Sequence, residues 1–354
     1  MPPRMPDYAS EMAHTIELGL DTFGDITDGP DGKPLHAAQV IRNLVEEAVL
    51  ADEVGVDFIG VGEHHRADFA VSSPEMVLAA IAARTRRIRL GSAVTVLSSD
   101  DPIRVFQRFS ILDALSNGRA EVMLGRGSFI ESFPLFGFDL EKYEELFNEK
   151  LDLFAAVLRE QPVTWSGTTR LPLADQSVYP KTQTGRLTTW IGVGGTPQSV
   201  MRAAHYGLPM MLAVIGGDPR RFAPFADLYR RALKELGKPE LPVGLHSHGF
   251  VGETDAQAKE DLFADYKRMR DKIGAERGWP PMSRGDFERE IEHGSLYVGS
   301  PETVARKITA SVKALGVSRF DMKYSAGPLS HEKMMRSIAL YGGKVIPLVR
   351  QMLG

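Results

Sequence analysis

The sequence predicts an α/β protein closed into a (β/α)8 TIM barrel with insertions after its strands. Three observations predict it: eight apolar, β-branched runs of strand length, helical periodicity between them, and an alternation of the two along the whole chain. The runs are IELGL (16–20), DFIGV (57–61), IRLGSAVTVL (88–97), AEVML (120–124), TWIGV (189–193), MMLAVI (210–215), VGLHSHGFV (243–251) and FDMKY (320–324). Between them, Ile41, Leu44, Val45 and Ala48 recur at i, i+3, i+4 and i+7, and Val304, Ile308, Val312 and Leu315 mark another helical face farther on. Alternation of this kind means parallel strands joined by crossover helices, and eight units are the number that closes a barrel. An open doubly wound sheet is the competing arrangement for the same pattern.

At 354 residues the chain has length for two average domains, yet α/β barrels commonly exceed about 250 residues as one unit. No composition shift marks a linker, and no internal repeat is present. One domain over residues 1–354 is therefore expected, with residues 1–14 as a flexible leader. Two connections are too long for plain turns: one near 162–187, rich in Thr, Pro and Gly, and one near 274–298, containing GWPPMSRGDF. Long connections in compact domains are usually lids or insertions.

Apolar residues at 43% and charged residues at 25% suit a soluble protein with a sizeable core and exclude disordered and fibrous classes. A net charge of −4 supplies no basic field for nucleic acid. The absence of cysteine excludes disulfides, thiolate catalysis and cysteine-based metal centres. The opening MPPRMPDYASEMAHT lacks an apolar h-region, and no stretch reaches the roughly 18 apolar residues of a membrane helix. A soluble, cytoplasmic protein that binds neither membrane nor nucleic acid is expected.

In a barrel the chemistry sits at the C-terminal ends of the strands, so the residues that follow each run are the candidates. GVGEHHRADF (60–69) brings Glu63, His64 and His65 to the mouth. Successive side chains diverge along a strand, so only one of the two histidines can face a given point and the other is structural. A metal site would need further ligands that are not clustered here, so none is expected. Gly125-Arg126-Gly127 follows the fourth run, and an arginine between glycines can approach an anion closely; a solvated or salt-bridged arginine fits the same letters. GVGGTPQSV (192–200) joins a tight Gly194-Gly195 turn to an N-cap Thr196, Pro197 at the first helical position, and Ser199 in the first turn. That is a ready phosphate site and equally an ordinary strand-to-helix turn. His246 and His248, two apart on a strand, face the same way and read first as packing or hydrogen-bonding residues. Ser300 and Pro301 in YVGSPETVARKI (297–308) read as the start of a capped helix.

Together these pieces resemble the luciferase-like, flavin-dependent oxidoreductase superfamily. The matched features are EHH after the second run, the block LGSAVTVL…DP…DALSNGR…GRG…FG (90–137), the GG-T-P-Q-S turn followed by AAHYGLPMML (203–212), and VGSPETVARKI. They occur in order over about residues 16–350. The resemblance implies that His64 handles protons at the flavin with Glu63 as its orienting group. It implies that Ala93 and Val94 form a non-prolyl cis peptide under the isoalloxazine ring, and that Arg126, Ser128, Gly195, Thr196 and Ser199 hold the phosphate of FMN. Glu144 departs from the pattern, because it stands where luciferase has a second phosphate-binding arginine. The implied activity is an FMN-dependent monooxygenase in which dioxygen adds to C4a of reduced flavin and the peroxide oxidises a small organic substrate. An F420-dependent hydride-transfer enzyme and a non-catalytic flavin-binding protein are the rivals. No strand-turn-helix with G-x-G-x-x-G is present, so a separate NAD(P)H:flavin reductase is expected to supply reduced FMN. The expected assembly is a homodimer.

Overall fold

The computed structural model describes residues 16–127 and 129–354; the leader over 1–14 and Ser128 lie outside the described residues. In chain order the strands are β1 (Glu17–Thr22), β2 (Phe58–Val61), β3 (Arg89–Ser92), β4 (Thr95–Val96), β5 (Ala120–Gly125), β6 (Val163–Trp165), β7 (Leu173–Gln176), β8 (Thr188–Val193), β9 (Met210–Ala213), β10 (Val243–Val251), β11 (Tyr297–Gly299) and β12 (Arg319–Lys323). Eight of them pair in parallel around a closed ring, β1-β2-β3-β5-β8-β9-β10-β12 and back to β1. These correspond to the eight apolar runs, and closure excludes the open sheet. Helices such as Ala37–Glu53 and Pro301–Leu315 bury one apolar stripe each against the outside of the ring.

Local details differ from the sequence reading in three places. The run over 88–97 is not one strand: it is interrupted at Ala93-Val94, whose peptide bond is cis, and resumes as β4 beside β5. Residues 162–187 carry the antiparallel pair β6-β7, tied down by the Trp165 indole N–H donating to Asp152 at 2.8 Å. Residues 274–298 are largely helical. Helix Asp255–Arg277 runs into this stretch and ends at Gly278 in the left-handed region at φ 70°, and helix Arg284–Glu292 opens with a Ser283/Asp286 capping box. The first of these helices escapes an apolar-period search because it buries only Ala258, Leu262, Tyr266 and Gly274 over 23 residues.

The N-terminal end of the barrel is plugged by buried charge. Arg319, fully buried on β12, donates from Nη1 to Glu121 Oε2 at 2.7 Å and from Nε to both Asp321 oxygens at 3.0 Å. Its guanidinium lies 3.7 Å from the Phe58 ring centre and 4.9 Å from that of Trp190. Trp190 Nε1 also donates to Glu121, at 3.1 Å, and Arg89 pairs with Glu121 and Glu17. Burial opposes ionisation of Glu121, but Arg89 and Arg319 outweigh it and hold the carboxyl below its ordinary range. Gly19 makes room for this cluster: a Cβ there would sit 2.2 Å from Asp321 Oδ1. Above the plug, Met123, Trp190 and Met211 pack together with Val94 against them.

Removing the cation leaves Asp321 buried without its partner and Glu121 held by Arg89 and Trp190 alone. Arg319→Ala is expected to cost about 3–5 kcal/mol of folding stability, read as a shift of the urea unfolding midpoint. A loss below about 1 kcal/mol would mean that the cluster is not held by this guanidinium.

Candidate active site

A cavity of about 320 Å³ opens at the C-terminal ends of the barrel strands. The floor is Met123, Met211 and Val94, and the wall carries Asp21, His246, His248 and Lys323 from β1, β10 and β12. Helix Asp255–Arg277 roofs it with Tyr266, Met269 and Ile273, and Trp279 follows just beyond the helix end. The roof is latched to the barrel by Arg66, which bonds Asp68 at 3.1 Å, Glu131 at 2.6 Å and Glu276 at 2.5 Å while lying 4.4 Å over the Phe129 ring.

The loop after β2 separates its two histidines as side-chain divergence requires. His64 lines the cavity inside a cage of Phe23, Phe69 and Phe129, with ring centres at 4.6, 4.3 and 5.3 Å. Burial, helped by the charges of Lys323, His65 and Arg66 and resisted by Asp25, pushes its pKa down to about 3. It is therefore a neutral imidazole at neutral pH. His65 turns away, with Nε2 2.9 Å from Glu63 Oε1 and its ring edge-on to Phe136. The expected orienting contact from Glu63 to His64 is not made. Residues 63 and 65 share a side and residue 64 does not, so Glu63 serves His65, and its other oxygen accepts the Val96 amide at 2.8 Å. Glu63 thus fixes the backbone just after the Ala93-Val94 bond.

A second corner collects cations. Arg126, at the end of β5, pairs with Glu144, and the other oxygen of Glu144 accepts from Arg202 Nη2 at 3.0 Å. Glu144 neither turns away from Arg126 nor stands alone; it bridges two guanidiniums. Arg202 belongs to helix Pro197–Tyr206, whose N-cap Thr196 accepts the Ser199 amide. Gly195 holds φ at 95°, a conformation that favours glycine. Ser199 is buried and its hydroxyl donates to the Thr196 carbonyl at 2.8 Å, so that donor is spent within the turn.

The third group joins Asp21, which sequence did not single out, to His246 and His248, which it read first as packing or hydrogen-bonding residues. His246 Nδ1 lies 2.6 Å from Asp21 Oδ2, across the barrel from β10 to β1. Burial opposes the imidazolium of His246, but the charge and hydrogen bond of Asp21 outweigh it and raise the pKa. His248, two residues on, is pushed well below the ordinary range by burial and by Lys323 and His246. Lys323 is engaged by Asp25 at 3.0 Å and by the Ser325 carbonyl at 2.6 Å. Burial resists ionisation of Asp25, yet Lys323 and Ser325 hold it below its ordinary range.

Of the expected site residues, Glu63, His64, Ala93, Val94 and Arg126 line this cavity together. Gly195, Thr196 and Ser199 stand at the β8 end, connected to Arg126 through Arg202 and Glu144. Asp21 and Arg202 escaped sequence reading because a single Asp ending an apolar run, or an Arg in a second helical turn, carries no local signal. The i, i+2 spacing of His246 and His248 did signal a shared face.

A closed parallel barrel with an apolar cavity and convergent polar groups at its C-terminal mouth defines a barrel enzyme. The chain belongs to the luciferase-like monooxygenase family, whose family model matches residues 22–319. Over 324 residues it is 28% identical to the 4-hydroxyprotoasukamycin monooxygenase of Streptomyces nodosus subsp. asukaensis, covering 86% of this chain and 85% of that one. A monooxygenase from Streptomyces bottropensis superposes with a TM-score of 0.83 and 24% identity over 94% of this chain and 99% of its own. The oxygenating constituent of 3,6-diketocamphane monooxygenase from the CAM plasmid of Pseudomonas putida, in complex with FMN, does so at 0.74 and 19% identity, over 94% and 98%. The same fold also occurs in F420-dependent enzymes.

The Glu63–Val96 bond is testable without any ligand. Glu63→Ala strands a buried amide and is expected to cost about 1–3 kcal/mol and to speed hydrogen exchange at Val96. Unchanged exchange at that amide would show that the carboxyl does not hold the loop.

Proposed function

We propose that the protein is an FMN-dependent monooxygenase that uses reduced FMN and dioxygen to oxidise a small organic substrate. The observation that carries this is the convergence of Arg126 and Arg202 on one carboxylate, beside a helix N-terminus and at the rim of an apolar cavity. Two guanidiniums that already share an anion suit a phosphate. The surroundings also fit a flat ring. Gly125 and Gly192 face Val94, where added Cβ atoms would come within 2.6 and 3.3 Å of it, and a Cβ at Gly194 would meet nothing within 4 Å.

In this reading Arg126, Arg202, Gly195, Thr196 and Ser128 hold the phosphate, Ser199 braces the turn through Thr196, and Ala93-Val94 supports the ring. Reduced FMN supplies the electrons that activate dioxygen, and the chain supplies orientation, a dry cavity and proton handling. His64 acts there as a neutral imidazole, because a base with so low a pKa is poorly matched to neutral pH. Glu63 acts at one remove, through the loop it fixes. A diffusible NAD(P)H:flavin reductase provides reduced FMN, and the enzyme works as a cytoplasmic homodimer.

The test is calorimetric titration of the protein with FMN and with F420, followed by mixing with reduced FMN and oxygenated buffer. Arg126→Ala removes a charge-assisted contact and leaves Glu144 facing the phosphate, so FMN affinity is expected to fall about ten- to a hundredfold. Glu144→Gln removes the competing carboxylate, and because that side chain is 55% exposed the gain is expected to be about three- to tenfold. Preferential F420 binding would overturn the cofactor assignment. An FMN affinity indifferent to both substitutions would overturn the phosphate corner.

A further inference from the structure

The mouth of the barrel holds a polar pair, Asp21 and His246, whose hydrogen-bonding capacity is not used up. Lys323 is enclosed by Asp25 and Ser325, and Asp321 is engaged by Arg319. Asp21 and His246 differ: Asp21 is 1% exposed, bonds His246 through Oδ2, and keeps Oδ1 without a partner. Engagement of Nδ1 by Asp21 leaves Nε2 of His246 for the cavity that the ring lines. The ring stacks on Phe23 at 6.3 Å and 16°, and Phe23 also meets His64 edge-on at 4.6 Å, so the two imidazoles share one chamber.

We propose that His246, clamped through Nδ1 by Asp21, anchors the hydroxyl oxygen of a phenolic substrate through Nε2. This deepens the monooxygenase reading, since it assigns a substrate class to the same cavity. Three features select a phenol. The chamber is walled by Phe23, Phe69, Phe129, Tyr266 and Trp279 with Met123 and Met211 beneath, which suits an aromatic ring. A single N–H matches a single oxygen, whereas a carboxylate would leave its second oxygen in an apolar wall. The proton balance is complete: with His246 protonated, Nε2–H donates to the phenolate oxygen, the phenol's own proton passes to solvent, and the imidazolium faces both the phenolate and Asp21.

The charges around the ring support this. Facing His246 are Asp21 on β1, Asp321 and Lys323 on β12, and His248 on its own strand. Asp21 is the nearest and raises the imidazolium, while His64 and His248 are both driven neutral. Of these three histidines only His246 is disposed to carry charge near neutral pH. Because its pKa is raised, the imidazolium persists to higher pH: phenolate holding begins where the bound phenol ionises and is lost as pH rises through the His246 value. Asp21 acts through His246 and is a positioning residue.

The experiment uses the full chain without added flavin and 4-nitrophenol as probe, because its phenolate alone is strongly coloured. Bound to the wild type, the probe is expected to ionise at a pH about one unit lower than in water, a tenfold stabilisation of the phenolate. His246→Gln is expected to abolish this colour shift while leaving the thermal midpoint and FMN affinity unchanged. Asp21→Asn is expected to keep part of the binding and to move the pH at which it is lost downward. A probe that titrates on the wild type as it does in water would overturn the proposal without reference to any variant. So would an undiminished shift in a folded His246→Gln protein. Because no flavin is present, failure of the FMN assignment would leave this result standing, and failure here would leave FMN binding untouched.

Discussion

A guanidinium buried at the axis of a barrel must be neutralised there, and that requirement organises the molecule. Arg319 can stay in the interior only because Glu121 comes from β5 and Asp321 from its own strand, with Phe58 and Trp190 closing over its faces. Arg89 and Glu17 extend the cluster to β3 and β1. One end of the barrel is thereby committed to holding strands in register. The methionine and tryptophan layer packs above it, and the cavity at the other end opens over Met123 and Met211.

At the mouth the same economy leads to a different result. Asp25 and Lys323 neutralise each other inside the wall, whereas Asp21 spends one oxygen on His246 and leaves the other unbonded. A fully satisfied pair is structural. An incompletely satisfied one, buried and facing a chamber, is costly unless something else completes it, which is why function is sought at such places. The three histidines of the chamber show how environment separates identical side chains: burial in an aromatic cage keeps His64 neutral, burial and Lys323 keep His248 neutral, and Asp21 does the opposite for His246.

Much of this was legible in the residues before any coordinates. Parallel strands buried on both faces must be continuous apolar runs, so all eight barrel strands stood out, and the alternation of side chains assigned His64 and His65 to opposite sides. The same rule, carried one residue further, pairs Glu63 with His65 rather than His64; the family resemblance pointed elsewhere, and the geometry corrects it. The roof was illegible for the converse reason. Helix Asp255–Arg277 is mostly solvated and displays no apolar stripe, so its contribution to the cavity comes from a few residues that periodicity cannot pick out. Asp21, His246, Arg126, Glu144 and Arg202 meet only through long-range contacts, and no spacing along the chain encodes such meetings.

Glu144 is the residue whose meaning changed most. Read alone, a carboxylate beside an expected phosphate site is a defect. In the structure it bridges Arg126 and Arg202, at the corner where a phosphate is proposed to bind. An internal carboxylate costs no translational entropy to bring in, so any phosphate must displace it and gains only the difference between two anions. Two arginines facing an empty corner would hold a phosphate tightly and release it slowly; two arginines already paired would bind one loosely and exchange it readily. For a protein proposed to take its reduced cofactor from a separate reductase and return it oxidised after every turnover, exchange is a requirement of the cycle. The departure from the family pattern and the proposed two-component chemistry then follow from one electrostatic arrangement.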